Sequence, residues 1–171
     1  MIKTHRTVFK WFWAWQDEAE EAWLEQMALD GWHLVAIPFL ASYRFEKGEP
    51  QRKVFRLDFV SSRKDYSAYR QLFDDAGWDH LGEMGGWQYF CKAAAPGETP
   101  EIYTDTASKA QKFNRVMLFL IILLPINLFM LLIPVGSGSY AVFRWIALLL
   151  IFFYIFGLVK LFLRRRELTG S

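Results

Sequence analysis

The chain has 171 residues, 53% of them hydrophobic, with one cysteine and a formal net charge of +2. A lone cysteine excludes an intrachain disulfide and a cysteine-rich metal site, and it fits a reducing compartment. Residues up to Arg115 hold 15 Lys/Arg against 17 Asp/Glu, and the remainder 5 against 1, so the first part lacks the concentrated basic charge of a nucleic-acid binder.

The first hundred or so residues are enough for one domain with its own core and too few for two. At the N-terminus the apolar run of residues 8–15 is interrupted by Lys10, no small-residue cleavage site follows, and acidic residues begin at Asp17; this is not the pattern of a signal peptide. Phe9, Trp11 and Trp13 alternate as in a half-buried strand. Asp17 starts a helix with Glu20 three residues on, as in a capping box, and Ala19, Ala22, Trp23 and Met27 form its predicted buried stripe. Gly31 suits a left-handed C-terminal cap, and strands follow at 32–37 and 41–47.

A shift of 46 residues lays the chain over itself without gaps: Val8-Phe9-Lys10 over Val54-Phe55-Arg56, Ala22-Trp23 over Ala68-Tyr69, Gly31-Trp32 over Gly77-Trp78, Tyr43 over Tyr89, Pro50 over Pro96. The second copy repeats the order: a strand through Phe55, Leu57 and Phe59, then a helix capped by Ser62 and Asp65 with Tyr66, Tyr69, Leu72, Phe73 and Ala76 inward, then strands at 78–83 and 87–92. The prediction is an α+β domain over 1–93, with β-α-β-β repeats at about 8–50 and 54–96. These would form one antiparallel sheet with both helices on one face, ferredoxin-like in style. The opposite face would then be open, presenting Lys10, Phe12, Arg44, Arg56, Asp58, Gln88 and Phe90 as a candidate partner surface. Most of the seven tryptophans before residue 116 read as core, and the acidic residues Asp17, Glu18, Glu20, Glu21 and Glu25 as a solvated helix face.

Residues 94–106 read as a linker, and 107–166 as a juxtamembrane helix and a transmembrane hairpin, with a tail at 167–171. Spans at about 116–135 and 142–163 are nearly free of charge and, at 1.5 Å per residue, roughly match the ~30 Å hydrocarbon core. Gly136-Ser137-Gly138-Ser139 would join them as an antiparallel pair. Lys109, Lys112 and Arg115 precede the first span, and Lys160, Arg164, Arg165 and Arg166 close the second; the positive-inside rule then puts both termini in the cytoplasm. Trp145 suits the far interface, beside Arg144. Pro125 and Asn127 in the first span are candidates for a kink and a helix–helix contact.

No catalytic constellation stands out. His5, His33 and His80 lack metal-ligand spacing, Gly85-Gly86 reads as a hairpin turn, and Cys91 shares a strand side with Trp87 and Tyr89, as a buried thiol would. No cofactor is expected.

The run Trp23-Leu24-Glu25-Gln26-Met27-Ala28-Leu29-Asp30-Gly31-Trp32-His33-Leu34, the segments Tyr43-Arg44-Phe45-Glu46-Lys47-Gly48-Glu49-Pro50 and Phe55-Arg56-Leu57-Asp58-Phe59, and further Asp75-Ala76-Gly77-Trp78, Gly85-Gly86-Trp87-Gln88-Tyr89-Phe90 and Glu101-Ile102-Tyr103-Thr104-Asp105 together resemble the bacterial family called domain of unknown function 2812. That resemblance covers nearly all of the soluble domain and carries no catalytic residues. It implies a regulatory association, with a PadR-type transcriptional regulator or a membrane protein as the protein partner. The leading expectation is a two-pass, membrane-anchored cytoplasmic interaction or sensing module that is regulatory and not an enzyme. An accessory subunit of a transporter, and an enzyme or binder acting on a lipid or small ligand, are the alternatives.

Overall fold

The strand-forming alternation in the first part of the chain is realised as two sheets, where the sequence predicts one. The computed structural model describes residues 4–60, 64–103, 105–132 and 140–170, and the chain divides into two units, Met1–Thr104 and Asp105–Ser171. The first contains β1 (His5–Phe9), α1 (Asp17–Leu29), β2 (Trp32–Phe39), β3 (Ser42–Lys47), β4 (Lys53–Phe59), α2 (Tyr66–Asp75), β5 (Asp79–Met84) and β6 (Trp87–Ala93). Its strands form two three-stranded antiparallel sheets, ordered β1-β3-β2 and β4-β6-β5.

Both sheets put the third strand of their unit in the centre, and both break register at the same place. The irregularity between Leu34 and Ala36 in β2 recurs between His80 and Gly82 in β5, 46 residues on. Gly31 and Gly77 end their helices with the same φ of 76°. At Gly31 a side chain is also excluded by space, because a Cβ there would lie 2.6 Å from the Gly48 carbonyl oxygen. The gapless overlay fails at the first strand of each unit. Val8 stands opposite Tyr43, yet Leu57, not Val54, stands opposite Tyr89. Relative to its copy, that strand has slipped by three residues.

The helices are not on one shared face. α1 packs on β2 and also across on β4, whereas α2 packs on β5. One core cluster unites Leu24 and Ala28 of α1 with Leu34, Tyr43 and Phe45 of the first sheet and Phe55, Leu57, Tyr89 and Cys91 of the second. A second cluster, Val54, Phe73, Trp78 and Phe90 with Tyr69, Ala94 and Ile102 against it, lies under α2. Each large apolar side chain buried in this way contributes about 1.5–3 kcal/mol.

Several local expectations are corrected. β1 ends at Phe9; Trp11 and Trp13 lie beyond it, where Gln16 accepts a hydrogen bond from the Trp13 N–H through its side chain (3.0 Å) and returns one from its own N–H to the Trp13 carbonyl (2.8 Å). That turn delivers the chain into α1 with Gln16 as N-cap and no capping box. Asp65 caps α2 in a left-handed conformation without a side-chain bond, and Ser62 lies outside the described residues. Within the predicted linker, Arg52 donates to the carbonyls of Ala95 and Glu98, and Ile102 packs against the second cluster.

The second unit is a helix pair, α3 (Thr106–Leu132) and α4 (Tyr140–Thr169), packed on each other. Among the described residues one segment, Val142–Thr169, is long and apolar enough to cross a membrane, by length and composition. The expected pair of spans is therefore not reproduced as a pair. In α3 the charge-free stretch begins at Val116 and the described helix ends at Leu132, a length of roughly 25 Å at 1.5 Å per residue, short of the hydrocarbon core. The predicted turn at 136–139 lies outside the described residues. α4 continues into the predicted tail as far as Thr169, with Arg164 and Glu167 paired at 3.2 Å one turn apart.

Candidate functional site

The buried stripe of α1 is rotated from the predicted one. Ala19 and Ala22 are exposed, while Asp17, Glu20, Glu21, Leu24 and Ala28 are buried. Glu20, Leu24 and Ala28 are spaced four apart and so share one line along the helix. Three of the five acidic residues expected on a solvated face thus lie inside.

Glu20 joins the two copies of the repeat. The hydroxyls of Tyr43 and Tyr89, which are equivalent residues in the 46-residue overlay, both donate to its Oε1 at 2.6 Å. Burial pushes the Glu20 carboxyl above its ordinary range; the two tyrosine hydrogen bonds pull it down, and Asp17 adds an upward push. Burial, then the Glu20 charge, holds both phenols well above their usual range, so they remain donors.

Next to it, α1 lies along the edge strand β4. Glu21 Oε1 accepts from the Leu57 N–H at 2.8 Å, and Glu25 Oε1 from the Phe55 N–H at 3.2 Å. Two carboxylates one helical turn apart thus meet alternate backbone donors of a strand. Arg56 balances them, with ion pairs to Glu101 (2.9 Å), Glu25 (3.1 Å) and Glu21 (3.7 Å). Burial opposes the Arg56 charge, but the three carboxylates more than offset it and raise its pKa.

The predicted partner surface is enclosed over much of its extent. Arg56 sits in this acidic cage; Phe90 is fully buried in the second core. Asp58 is buried and accepts hydrogen bonds from the hydroxyls of Tyr69 and Tyr103. Gln88 is buried too: its Oε1 accepts from the Tyr66 hydroxyl at 2.8 Å and lies 2.9 Å from His80 Nε2, and its Nε2 donates to Glu83 at 3.1 Å. α2 and residues 94–103 cover the face that alternation alone leaves open. Phe12 packs against the first core, Lys10 is half-buried over the rings of Trp23 (4.6 Å) and Phe12 (5.0 Å), and Arg44 is exposed.

What is exposed instead is aromatic. Phe9 is 72% exposed, Trp11 47% and Trp13 44%. Trp13 stacks flat on Trp15 with centroids 5.3 Å apart, and Trp11 meets Trp13 edge-on at 5.6 Å. Phe9 and Phe39 both stand opposite Ser42, which brings them to the same end of the first sheet; Phe39 is also exposed. Behind Trp13 lies a small cavity of about 40 Å³, walled by Phe12, Trp13, Trp87 and Tyr89 with Asp17 and Glu20 on its helix side.

Other sequence-predicted residues sort as follows. Cys91 is buried, and burial pushes its thiol up to about 11, which makes it a poor nucleophile. His33 bonds to the Glu49 carbonyl at 2.8 Å. In the second unit Lys112 is buried; Arg115, Arg164 and Arg165 are half-buried, and Trp145, Lys160 and Arg166 exposed. Pro125 lies within α3 without ending it, and the side chain of Asn127 lies outside the described residues. Sequence reasoning misses Glu20 because a hydrophobicity pattern assigns carboxylates outward. The signal available was the repeat itself, which pairs Tyr43 with Tyr89.

Residues 16–124 match the family model described as "Protein of unknown function (DUF2812)". No curated protein and no solved structure matches the chain.

Proposed function

This chain belongs to the DUF2812 family, and we propose that it serves as a membrane-anchored, non-enzymatic interaction and sensing module with a regulatory role. The observation that carries the reading is the presence in one chain of a segment of membrane-crossing length and composition, Val142–Thr169, and a folded α+β unit that exposes an aromatic strip. Large exposed aromatic groups are costly in water and are typical of contact surfaces. In its finer form the proposal adds a second membrane segment from α3, supported by its charge-free stretch from Val116 and its packing on α4. With basic residues at Lys109, Arg115 and Arg164 to Arg166 on one side, both termini would be cytoplasmic.

Photo-crosslinking residues placed at Trp11 and Trp13 of the full chain in cells test the contact surface. Discrete adducts are expected there and none from the exposed Gln71 on α2; equal labelling at all three sites would count against it. A reporter fused after Ser171 tests the topology, and activity on the outer side of the membrane would overturn it.

A further inference from the structure

The cavity behind Trp13 has a chemical character of its own. Asp17 is 2% exposed and Glu20 5%, and they lie three residues apart on α1, so one turn of helix presents both. Both hydrogen bonds to the Glu20 side chain fall on Oε1, so among the described residues Oε2 makes none, although Glu20 lines the cavity. The rest of the lining is aromatic, from Phe12, Trp13, Trp87 and Tyr89, and apolar, from Ala14, Leu57 and Met84. Aromatic faces are electron-rich and attract cations, most strongly where water is excluded. Lys10 does not serve here, since its ammonium lies over the rings of Phe12 and Trp23.

We infer that this cavity is a binding site for an ammonium head group, from a free small amine or from an ethanolamine or choline phospholipid. Its size limits the occupant: at about 40 Å³ it holds a head of a few heavy atoms while the rest of the molecule stays outside. An anion is excluded by the two carboxylates. A calcium-like ion would need six or more oxygen ligands, and the lining side chains carry five, two each on Asp17 and Glu20 and one on Tyr89. The head group sits against Glu20 Oε2 with the aromatic side chains around it. Trp13 forms both a cavity wall and part of the exposed strip, so occupancy is passed to the surface through that side chain. This last step rests on the sensing role proposed above; the binding itself does not.

The test uses the full chain in lipid nanodiscs with methyl-labelled methionine. Met84 lines the cavity, and its methyl resonance is assigned with Met84→Leu. Methylammonium chloride is titrated against sodium chloride at equal ionic strength, first in phosphatidylglycerol discs. A saturable shift of Met84 with methylammonium alone is expected, weakened about tenfold or more in Glu20→Gln, which keeps an acceptor for the tyrosines while removing the charge. In discs containing phosphatidylethanolamine or phosphatidylcholine, a Met84 shift without added amine identifies the lipid head as the source; no such shift identifies a free amine. A Met84 resonance unmoved in every arm, or moved equally in Glu20→Gln, overturns the inference. Crosslinking from Trp11 and Trp13 would survive that failure, so the two proposals fall separately.

Discussion

The two copies of the repeated unit share a strand order and a register break, yet they treat polar groups differently. In the second copy Asp58 and Gln88 are enclosed by tyrosines, a histidine and a glutamate, and Arg56 by three carboxylates. Its sheet is covered on both sides, by α1 on one and by α2 with residues 94–103 on the other. The first copy leaves its aromatic strip exposed and keeps a carboxylate beside a cavity. The duplicated scaffold thus treats its two halves unequally: the second encloses most of its polar side chains, and the first leaves aromatic ones in contact with solvent.

The largest effect that would sharpen this contrast is expected at Arg56. Arg56→Ala leaves Glu21, Glu25 and Glu101 without their common cation and should cost about 3 kcal/mol, whereas Arg44→Ala on the exposed side of the first sheet should stay within about 0.5 kcal/mol. Urea unfolding of the full chain in detergent, followed by tryptophan fluorescence, measures both; equal costs would erase the contrast. A smaller effect is expected where the copies meet. Tyr43→Phe and Tyr89→Phe should each cost about 1–2 kcal/mol, and the double variant should depart from their sum because both hydroxyls serve one oxygen. Strict additivity would mean that Glu20 does not couple them.

The smallest effect is one of pH. Glu20 is raised above the ordinary carboxyl value of 4.5, so between that value and its folded pKa the native state holds more protons than the unfolded one. The stability tied to this group is then complete below 4.5 and is lost as pH rises through the folded pKa. Glu20→Gln should remove that slope and leave stability nearly flat across the same window. A slope unchanged in the variant would assign the pH dependence elsewhere.

Much of the fold is legible from local pattern. The helices, the glycines that end them and the order of strands follow from periodicity and turn chemistry, because those signals act over a few residues. What is not legible depends on contacts distant in sequence. The sheet faces are a case in point: Arg56, Asp58, Gln88 and Phe90 alternate as an outward row should, and only the return of α2 and residues 94–103 buries them. The apolar period also runs on to Trp13, although the chain leaves the sheet after Phe9, because an exposed tryptophan and a buried one look alike in a pattern of hydrophobicity. For α1 the difference has the opposite sign: a hydrophobicity pattern places acids in water, but the edge of β4 and two tyrosine hydroxyls offer them donors that water would otherwise supply. The candidate site was therefore the least visible part, since its residues come from a turn, a helix and strands of the second sheet.

The bonds from Glu21 and Glu25 to the Leu57 and Phe55 N–H groups have one more outcome. A bare sheet margin invites a second chain to add itself as a strand. By occupying those donors, α1 makes the outer margin of the second sheet unavailable for such pairing.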